Sequence, residues 1–275
     1  MIAGGVTIDG GSKPDLPGGN AVLWCPFAPR SPMVIWLASF PRSGNTMLRI
    51  MFRSVFGLST YSKHEAIGDR PVEENGLWVD DAVGGRIGAR FYTEAEGWSG
   101  FLARARDSRE TYLIKTHDGP EGADKAIYVV RNGLVATDSY RHFLEAADGR
   151  PVGWTDLLAK PHAFENWSAH LDAWRPDSRP DTLLIRYEML VGDPMLAIRL
   201  IRDFAGLAPV AAWDNPWTTL REAAPNFFRR GRTAIPEELT ADEIDRFMAI
   251  HSGWMERLGY DRDVRFERDI RSMGV

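Results

Sequence analysis

From residue 33 onward, short apolar runs of strand length alternate with segments whose apolar positions recur at helical spacing. Such alternation is typical of a parallel sheet flanked by helices. The short runs are almost wholly apolar, as expected of central parallel strands that are buried on both faces. We therefore predict a single α/β domain with a central, mostly parallel sheet. The predicted strands are residues 33–39, 112–115, 126–130 and 182–186.

The helical segments have recognisable ends. Residues 46–56 carry Leu48, Met51, Phe52 and Val55 at helical spacing, which predicts a helix with one apolar face. Three further helices are predicted: residues 133–146 after an Asn132 cap, a segment from Pro194 to a stop near Gly206, and a last one from a Thr240 and Glu243 capping box to Gly259.

Residues 1–32 differ from the rest of the chain, because Gly and Pro are frequent there and neither helical nor strand spacing is visible. We interpret them as an N-terminal extension, mobile or lying over the surface, and place the domain at residues 33–275. The whole chain has 275 residues, of which 44% are hydrophobic and 26% charged. Length and composition are those of one large globular domain.

Charge and cysteine content narrow the partners and the compartment. The formal net charge of -5 argues against a general nucleic-acid binder, because neutralising a phosphate backbone needs a basic surface. The single cysteine, Cys25, excludes an intramolecular disulfide and is compatible with a reducing compartment. No apolar run approaches the length of about 20 residues that spans a bilayer. Residues 1–30 also lack the basic start and apolar centre of a signal peptide, so we expect a cytoplasmic protein.

The segment between the first predicted strand and the first helix concentrates anion-binding groups. Residues 40–46 read Phe-Pro-Arg-Ser-Gly-Asn-Thr and lead directly into the helix, whose first main-chain N–H groups can bind an anion. Arg42 adds forked donors, and Gly44 allows a close approach of the backbone. The alternative is a plain turn in which Asn45 or Thr46 only caps the helix. The Walker pattern G-x-x-x-x-G-K-[ST] is absent, which disfavours an ATPase or GTPase.

This loop resembles the 5′-phosphosulfate loop of the sulfotransferases that use 3′-phosphoadenosine-5′-phosphosulfate (PAPS) as donor. The usual form in that family is Pro, a basic residue, Ser-Gly, two Thr-like residues and Trp. In this chain Arg42 stands where Lys is most frequent, and Met47 stands where many members have a Trp that packs on the adenine. The resemblance implies a P-loop-like phosphate site whose donor-binding residues are Arg42, Ser43, Gly44, Asn45, Thr46 and Met47.

Three later segments resemble other donor-binding motifs of the same family. Arg131 directly follows the third predicted strand and Ser139 comes eight residues later, but spacing alone leaves open whether they meet, and a surface ion pair is the alternative for Arg131. Residues 229–232, Arg-Arg-Gly-Arg, concentrate positive charge in an acidic chain, although a basic surface turn has the same composition. Tyr187 follows the fourth predicted strand and is either an adenine contact or a structural tyrosine. The resemblance implies 3′-phosphate contacts from Arg131, Ser139, Arg229, Arg230 and Gly231, and an adenine contact from Tyr187.

Lys115 and His117 lie two residues apart at the end of a predicted strand, so both side chains are expected on one face. Ligands of α/β proteins bind at such carboxyl ends. A neutral imidazole can take the proton of a hydroxyl group. The Lys-Thr-His triplet resembles the catalytic segment of hydroxyl-directed sulfotransferases, which implies His117 as base and Lys115 with Arg42 as stabilisers of the leaving phosphate. A structural histidine is the alternative, and the other five histidines are assigned no role.

The matched motifs run in the family's order from residue 33 to residue 231. Between them, residues 61–109 are rich in aromatics, including Trp78, Phe91, Tyr92 and Trp98, which belong either to an acceptor pocket or to the core. The resemblance implies an enzyme that moves the sulfuryl group of PAPS to a hydroxyl of a small-molecule or natural-product acceptor without a metal. A kinase or hydrolase of nucleoside triphosphates and a non-catalytic nucleotide-binding scaffold remain alternatives. The sequence does not identify the acceptor or the oligomeric state.

Overall fold

The computed structural model describes residues 33–63, 66–67, 85, 87–159, 165–223, 233–236 and 238–260. Three of the predicted features lie outside the described residues: the N-terminal extension at 1–32, Trp78 of the aromatic segment, and the basic segment that contains Arg229, Arg230 and Gly231. Across the described ranges, no helix has both the length and the apolar composition needed to cross a membrane.

The strands of the described chain are β1 (Met33–Ser39), β2 (Thr60–Ser62), β3 (Ala66–Ile67), β4 (Tyr92–Thr93), β5 (Thr111–Thr116), β6 (Lys125–Val130) and β7 (Thr182–Arg186). Within those residues, five strands form one sheet in the order β2-β5-β1-β6-β7, and every pairing is parallel. Ala38 near the end of β1 lies opposite Thr116 of β5 and Tyr128 of β6. The carboxyl ends of the three central strands therefore meet at one edge of the sheet.

The helices of the same ranges are α1 (Asn45–Phe56), α2 (Gly97–Asp107), α3 (Gly133–Asp148), α4 (Trp154–Ala159), α5 (Trp167–Trp174), α6 (Tyr187–Gly192), α7 (Pro194–Ala205), α8 (Trp217–Ala223) and α9 (Ala241–Arg257). Their predicted start signals are confirmed. The Asn132 side chain accepts the main-chain N–H of Leu134 at the start of α3, and Pro194 opens α7. The reciprocal capping box of Thr240 and Glu243 opens α9, which ends at Arg257 rather than Gly259.

The sheet has an apolar layer on each face. Ile35 and Leu37 of β1 pack against α1, α6 and α7. Trp36 and Ala38, whose side chains point the opposite way, pack against the helices α2, α3, α5 and α9. Burying an aliphatic or aromatic side chain of this kind contributes about 1.5–3 kcal/mol. Both layers hold the central strands rigidly, and with them the loops at the carboxyl edge.

The predicted α/β fold with a parallel sheet is confirmed. Strands β1 and β7 have the predicted bounds, whereas β5 is one residue longer at each end and β6 begins one residue earlier. Helix α3 continues to Asp148, two residues past its predicted end. Strand β2 was not predicted, since its three residues are too few to show an alternating pattern.

Candidate functional site

The loop between β1 and α1 has a backbone shape that keeps it open above the strand end. Arg42 and Gly44 both have positive φ, 61° and 108°. A Cβ at Gly44 would lie 2.5 Å from Cδ2 of Tyr187, so only glycine fits between the loop and this ring. Helix α1 begins with no side chain of the described residues capping it, which leaves its first main-chain N–H groups available to an anion.

Two side chains of this loop differ in what they contact. The Asn45 amide donates to the Leu37 main-chain oxygen at 2.7 Å and to Ser39 Oγ at 3.3 Å, so it ties the helix start to β1. Ser43 Oγ is buried and has no hydrogen-bond partner among the described residues. A buried hydroxyl without a partner is costly to the fold unless a ligand supplies one. The Asn45 side-chain oxygen is likewise buried without a hydrogen-bond partner among the described residues, so both Ser43 and Asn45 have a polar atom that a ligand could satisfy.

Arg131 links this loop to the next strand. Its Nη1 donates to the main-chain oxygen of Arg42 at 2.8 Å, and its guanidinium carbon lies 4.5 Å from the ring centre of Tyr187. The side chain is buried, and burial lowers its pKa while Tyr187 and Glu188 act in the opposite direction. The predicted 5′-loop and the predicted residues Arg131 and Tyr187 are thus brought together at one place.

The buried carboxylate of Glu188 holds together the two segments that carry Tyr187 and Arg131. Glu188 accepts the hydroxyl of Tyr260 at 2.9 Å and the main-chain N–H of Asn132 at 3.4 Å. Burial raises the pKa of Glu188, although these two hydrogen bonds oppose the shift. The contact joins the residue after Tyr187 to the residue after Arg131. Sequence reasoning missed Glu188, because a single acidic residue at a helix start looks like a favourable charge at the helix dipole.

His117 lies one residue beyond β5, and its ring is bonded to the end of β1. Its Nδ1 is 2.7 Å from the main-chain oxygen of Ser39. A carbonyl oxygen only accepts hydrogen bonds, so Nδ1 carries the proton and Nε2 is the basic nitrogen of the neutral ring. Burial lowers the pKa of His117 well below its ordinary value, and the charge of nearby Lys115 lowers it further. At neutral pH the imidazole is therefore uncharged.

Of the aromatic residues named in the 61–109 region, Tyr92 and Trp98 belong to the core, whereas Phe91 is half-buried and is not among the core residues. Tyr92, Trp98 and Phe101 pack on one another, with ring centres 5.3 to 5.7 Å apart. Trp78 lies outside the described residues. Beside this cluster, Lys63 pairs with Asp118 at 3.3 Å and with Glu121 at 2.7 Å. Asp118 follows the candidate base directly, so a half-exposed charge cluster borders the site.

The remaining predicted residues have the following positions. Thr46, Ser139 and Arg42 are half-buried, Lys115 is buried, and Met47 is buried in the apolar layer that also contains Tyr187. Arg229, Arg230 and Gly231 cannot be placed because they lie outside the described ranges. Within those ranges, no group of three or more His, Cys, Asp or Glu side chains could hold a metal ion.

Comparison with known proteins identifies the family and the fold of the chain. A family described as the sulfotransferase domain matches residues 32–218. A solved structure of mouse sulfotransferase SULT7A1 complexed with PAP is similar, with 17% identity, a TM-score of 0.54, and coverage of 82% of this chain and 85% of that one. Retinol dehydratase in a complex with retinol and PAP is 17% identical with a TM-score of 0.55, and the match covers 86% of this chain and 84% of the other. At these identities the two structures establish the shared fold.

Proposed function

The chain belongs to the sulfotransferase domain family, and from that premise we propose that it transfers the sulfuryl group of PAPS to a hydroxyl of a small-molecule acceptor with His117 as base. The observation that carries the proposal is the 2.7 Å contact from His117 Nδ1 to the Ser39 main-chain oxygen. It fixes the neutral tautomer in which Nε2 is basic, at the edge of the sheet where the phosphate loop begins.

The donor fits the residues around this edge. Ser43 Oγ is buried without a partner among the described residues, and the start of α1 offers uncapped N–H groups. Gly44 lacks the Cβ that would collide with Tyr187, so backbone and ring can lie against one ligand. We assign the 5′-side phosphate to Arg42, Ser43, Gly44, Asn45 and Thr46, with the adenine near Met47 and Tyr187. The 3′-phosphate is assigned to Arg131, Ser139, Arg229, Arg230 and Gly231.

PAPS supplies an activated sulfuryl group whose departure leaves adenosine 3′,5′-bisphosphate (PAP). In the reaction, His117 Nε2 takes the proton of the acceptor hydroxyl while that oxygen bonds to sulfur. The bond from sulfur to the bridging phosphate oxygen breaks, and the electron pair stays on that oxygen. Lys115 and Arg42 stabilise the charge that grows there, as cations do in the related transfer of phosphoryl groups.

A neutral base suits this step because an imidazolium could not accept the proton. The low pKa of His117 keeps the ring uncharged at neutral pH and makes it a weaker base than a free imidazole. Solved relatives of the same fold hold retinol or androsterone together with PAP, which supports small hydroxylated molecules as the class to screen.

The experiment combines a binding and a transfer measurement. Calorimetric titration with PAP and with ATP separates the sulfotransferase from a kinase or hydrolase of nucleoside triphosphates. We expect PAP to bind at least about 10-fold more tightly than ATP, since two separate phosphate sites are occupied only by PAP. Incubation with labelled PAPS and a panel of phenols, sugars and natural-product alcohols then tests catalysis. Tight ATP binding without PAP binding, or no transfer to any acceptor, would contradict the proposal and favour the hydrolase or the non-catalytic scaffold.

A further inference from the structure

Helix α5 directs two side-chain donors at the main chain beside the candidate base. His170 Nε2 lies 3.0 Å from the main-chain oxygen of His117, and Trp174 Nε1 donates to the main-chain oxygen of Asp118 at 2.8 Å. The two donors are four residues apart, so they lie on the same face of the helix. Two consecutive peptide units are thus held by one helix.

These contacts replace the sheet hydrogen bonds at the point where they stop. Strand β5 ends at Thr116, so His117 and Asp118 have left the ladder that holds β5 against β1. Near the turn, the main-chain N–H of Asp118 donates to Thr116 Oγ1 at 3.0 Å. The position of the main chain that carries the base therefore depends on α5, which packs on the face of the sheet opposite α1.

The tautomer of His170 is set by its neighbours. Because the His117 carbonyl only accepts, Nε2 of His170 carries the proton and Nδ1 accepts. Tyr128 provides the matching donor, with its hydroxyl 2.7 Å from Nδ1. The Phe40 ring, in the loop after β1, packs edge-on against the His170 ring, with the ring centres 6.3 Å apart. Burial lowers the pKa of His170 to about 4, so this ring is neutral throughout the working range of an enzyme at neutral pH.

Together the contacts form a closed circuit around the base. One path runs from the Phe40 ring, which packs on the His170 ring, through His170 Nε2 to the main-chain oxygen of His117. The other runs from the His117 ring to the main-chain oxygen of Ser39, the neighbour of Phe40. The phosphate loop and the base are therefore fixed to each other by hydrogen bonds of defined direction, rather than by apolar packing alone.

We propose that His170 and Trp174 are positioning residues, which hold the main chain at His117 so that its ring keeps the orientation needed to take the acceptor proton. The proposal rests on the role of His117 in the proposed function. Displacement of a reacting group by about 1 Å can cost about 100-fold in rate. The contacts of His170 and Trp174 with the main chain, here called the clamp, are therefore expected to affect the rate. Loss of a hydrogen bond that supports a metal-bound histidine costs about 10–100-fold in metal affinity or activity, and we expect the same range for the support of this base.

Two substitutions at His170 distinguish its hydrogen bond to the His117 main-chain oxygen from its role in filling volume in the core. The amide of glutamine can reach the position of Nε2, so His170→Gln keeps a donor for the His117 carbonyl. The shorter amide of asparagine reaches only the position of Nδ1, so His170→Asn loses that donor. We expect kcat to fall about 10–100-fold in His170→Asn and less than about 3-fold in His170→Gln, with KM for PAPS unchanged in both.

His251 provides a matched control. It is also buried, and its pKa is also lowered to about 4. Its Nδ1 lies 2.7 Å from the Oγ of Ser168, a residue of α5, the helix that also carries His170. It does not touch the main chain of His117 in the described contacts. His251→Asn should therefore lower the melting temperature about as much as His170→Asn does, while kcat stays within about 2-fold of wild type.

Nuclear magnetic resonance of the ring nitrogens gives a readout that does not depend on turnover. In the wild-type protein the His117 signals should be those of the Nδ1-protonated tautomer, and in His170→Asn both tautomers should appear. If His170→Asn does not fold, Trp174→Phe keeps most of the apolar volume but removes the donor to Asp118, and we expect a fall in kcat of about 3–10-fold. An unchanged kcat and an unchanged His117 tautomer in the folded variant would overturn the clamp. Full activity of His117→Ala would instead overturn the proposed base.

Discussion

Arg131 Nη1 donates a hydrogen bond of 2.8 Å to the main-chain oxygen of Arg42, a residue whose φ of 61° lies in the left-handed region. For a residue with a Cβ this conformation costs about 1–2 kcal/mol. The hydrogen bond from a buried guanidinium offsets part of that cost and holds the loop open. Arg131, assigned to the 3′-phosphate, thereby also shapes the loop assigned to the 5′-side phosphate.

Replacing Arg131 by Lys should weaken PAP binding. An ammonium group cannot donate to Arg42 and stack on Tyr187 together, as the guanidinium does with its carbon 4.5 Å from the ring centre. Loss of a charged hydrogen bond and a cation–π contact corresponds to about 2–3 kcal/mol, or about 30–150-fold in Kd by calorimetry. Arg179→Lys is the control, since Arg179 likewise stacks on an aromatic ring, that of Trp174, and donates to a main-chain oxygen. Equal PAP affinities of the two variants would contradict a specific role of Arg131 in PAP binding.

Replacing Gly44 by Ala should disturb the loop and Tyr187 together. The added Cβ would meet Cδ2 of Tyr187 at 2.5 Å, in addition to the cost of a φ of 108°. We expect the Kd for PAP to rise more than about 10-fold, with a loss of stability larger than the 1–2 kcal/mol of backbone strain alone. Gly149→Ala isolates that strain, because Gly149 also has a positive φ but its Cβ would meet nothing within 4 Å. A Gly44→Ala protein that matches Gly149→Ala in stability and binds PAP normally would contradict the tight fit.

Replacing Ser43 by Ala should change binding and stability in opposite directions. Because Ser43 Oγ is buried without a partner in the described part of the chain, its removal should leave the melting temperature unchanged or raise it. The same removal should weaken PAP binding about 10-fold, since a hydrogen bond to a charged phosphate is lost. Ser54→Ala is the control, since Ser54 lies on α1, the helix that follows this loop, and its Oγ donates to the Ile50 main-chain oxygen at 2.8 Å. A fall in stability with normal PAP affinity would mean that the hydroxyl serves the fold.

The stability of the protein should depend on pH through its buried neutral histidines. Burial lowers the pKa of His251 from 6.5 to about 4. Between these two pH values the unfolded chain binds a proton at His251 that the folded chain does not. The contribution of the neutral His251 ring to the free energy of unfolding is therefore complete above pH 6.5 and is lost as the pH falls towards 4. We expect the free-energy difference between wild type and His251→Gln, from urea unfolding, to shift by about 2 kcal/mol against wild type from pH 7 to pH 5. Parallel curves for the two proteins would contradict a neutral buried His251.

The sequence was sufficient to predict four strands of the sheet and the starts of several helices, for physical reasons. β1 is a run of apolar residues that ends before Pro41, and the edge strand β7 is a Leu-Leu-Ile run between Thr182 and Arg186, so their ends are visible in the pattern. The start of α3 was equally clear, because Asn132 has one preferred local role there. Local signals of this kind do not depend on distant parts of the chain.

The supports of the site could not be predicted because they depend on long-range contacts. His170 had no motif around it, and its role arises from a contact with His117, 53 residues earlier in the chain. Tyr260 and Glu188 are 72 residues apart, yet their side chains form a buried hydrogen bond. Helix α5 has only eight residues, too few to show a helical period against its high Trp content. Tertiary structure alone reveals these partners.

Single-turnover transfer of the sulfuryl group from labelled PAPS, compared between wild type and His117→Ala, decides whether His117 is the base. The acceptor is the best substrate of the screened hydroxyl panel, and the Kd for PAP is measured on the same samples. We predict that His117→Ala binds PAP within about 3-fold of wild type but transfers at least about 100-fold more slowly, as expected for loss of a general base. Equal transfer rates at equal PAP affinity would contradict the assignment of His117 as the base.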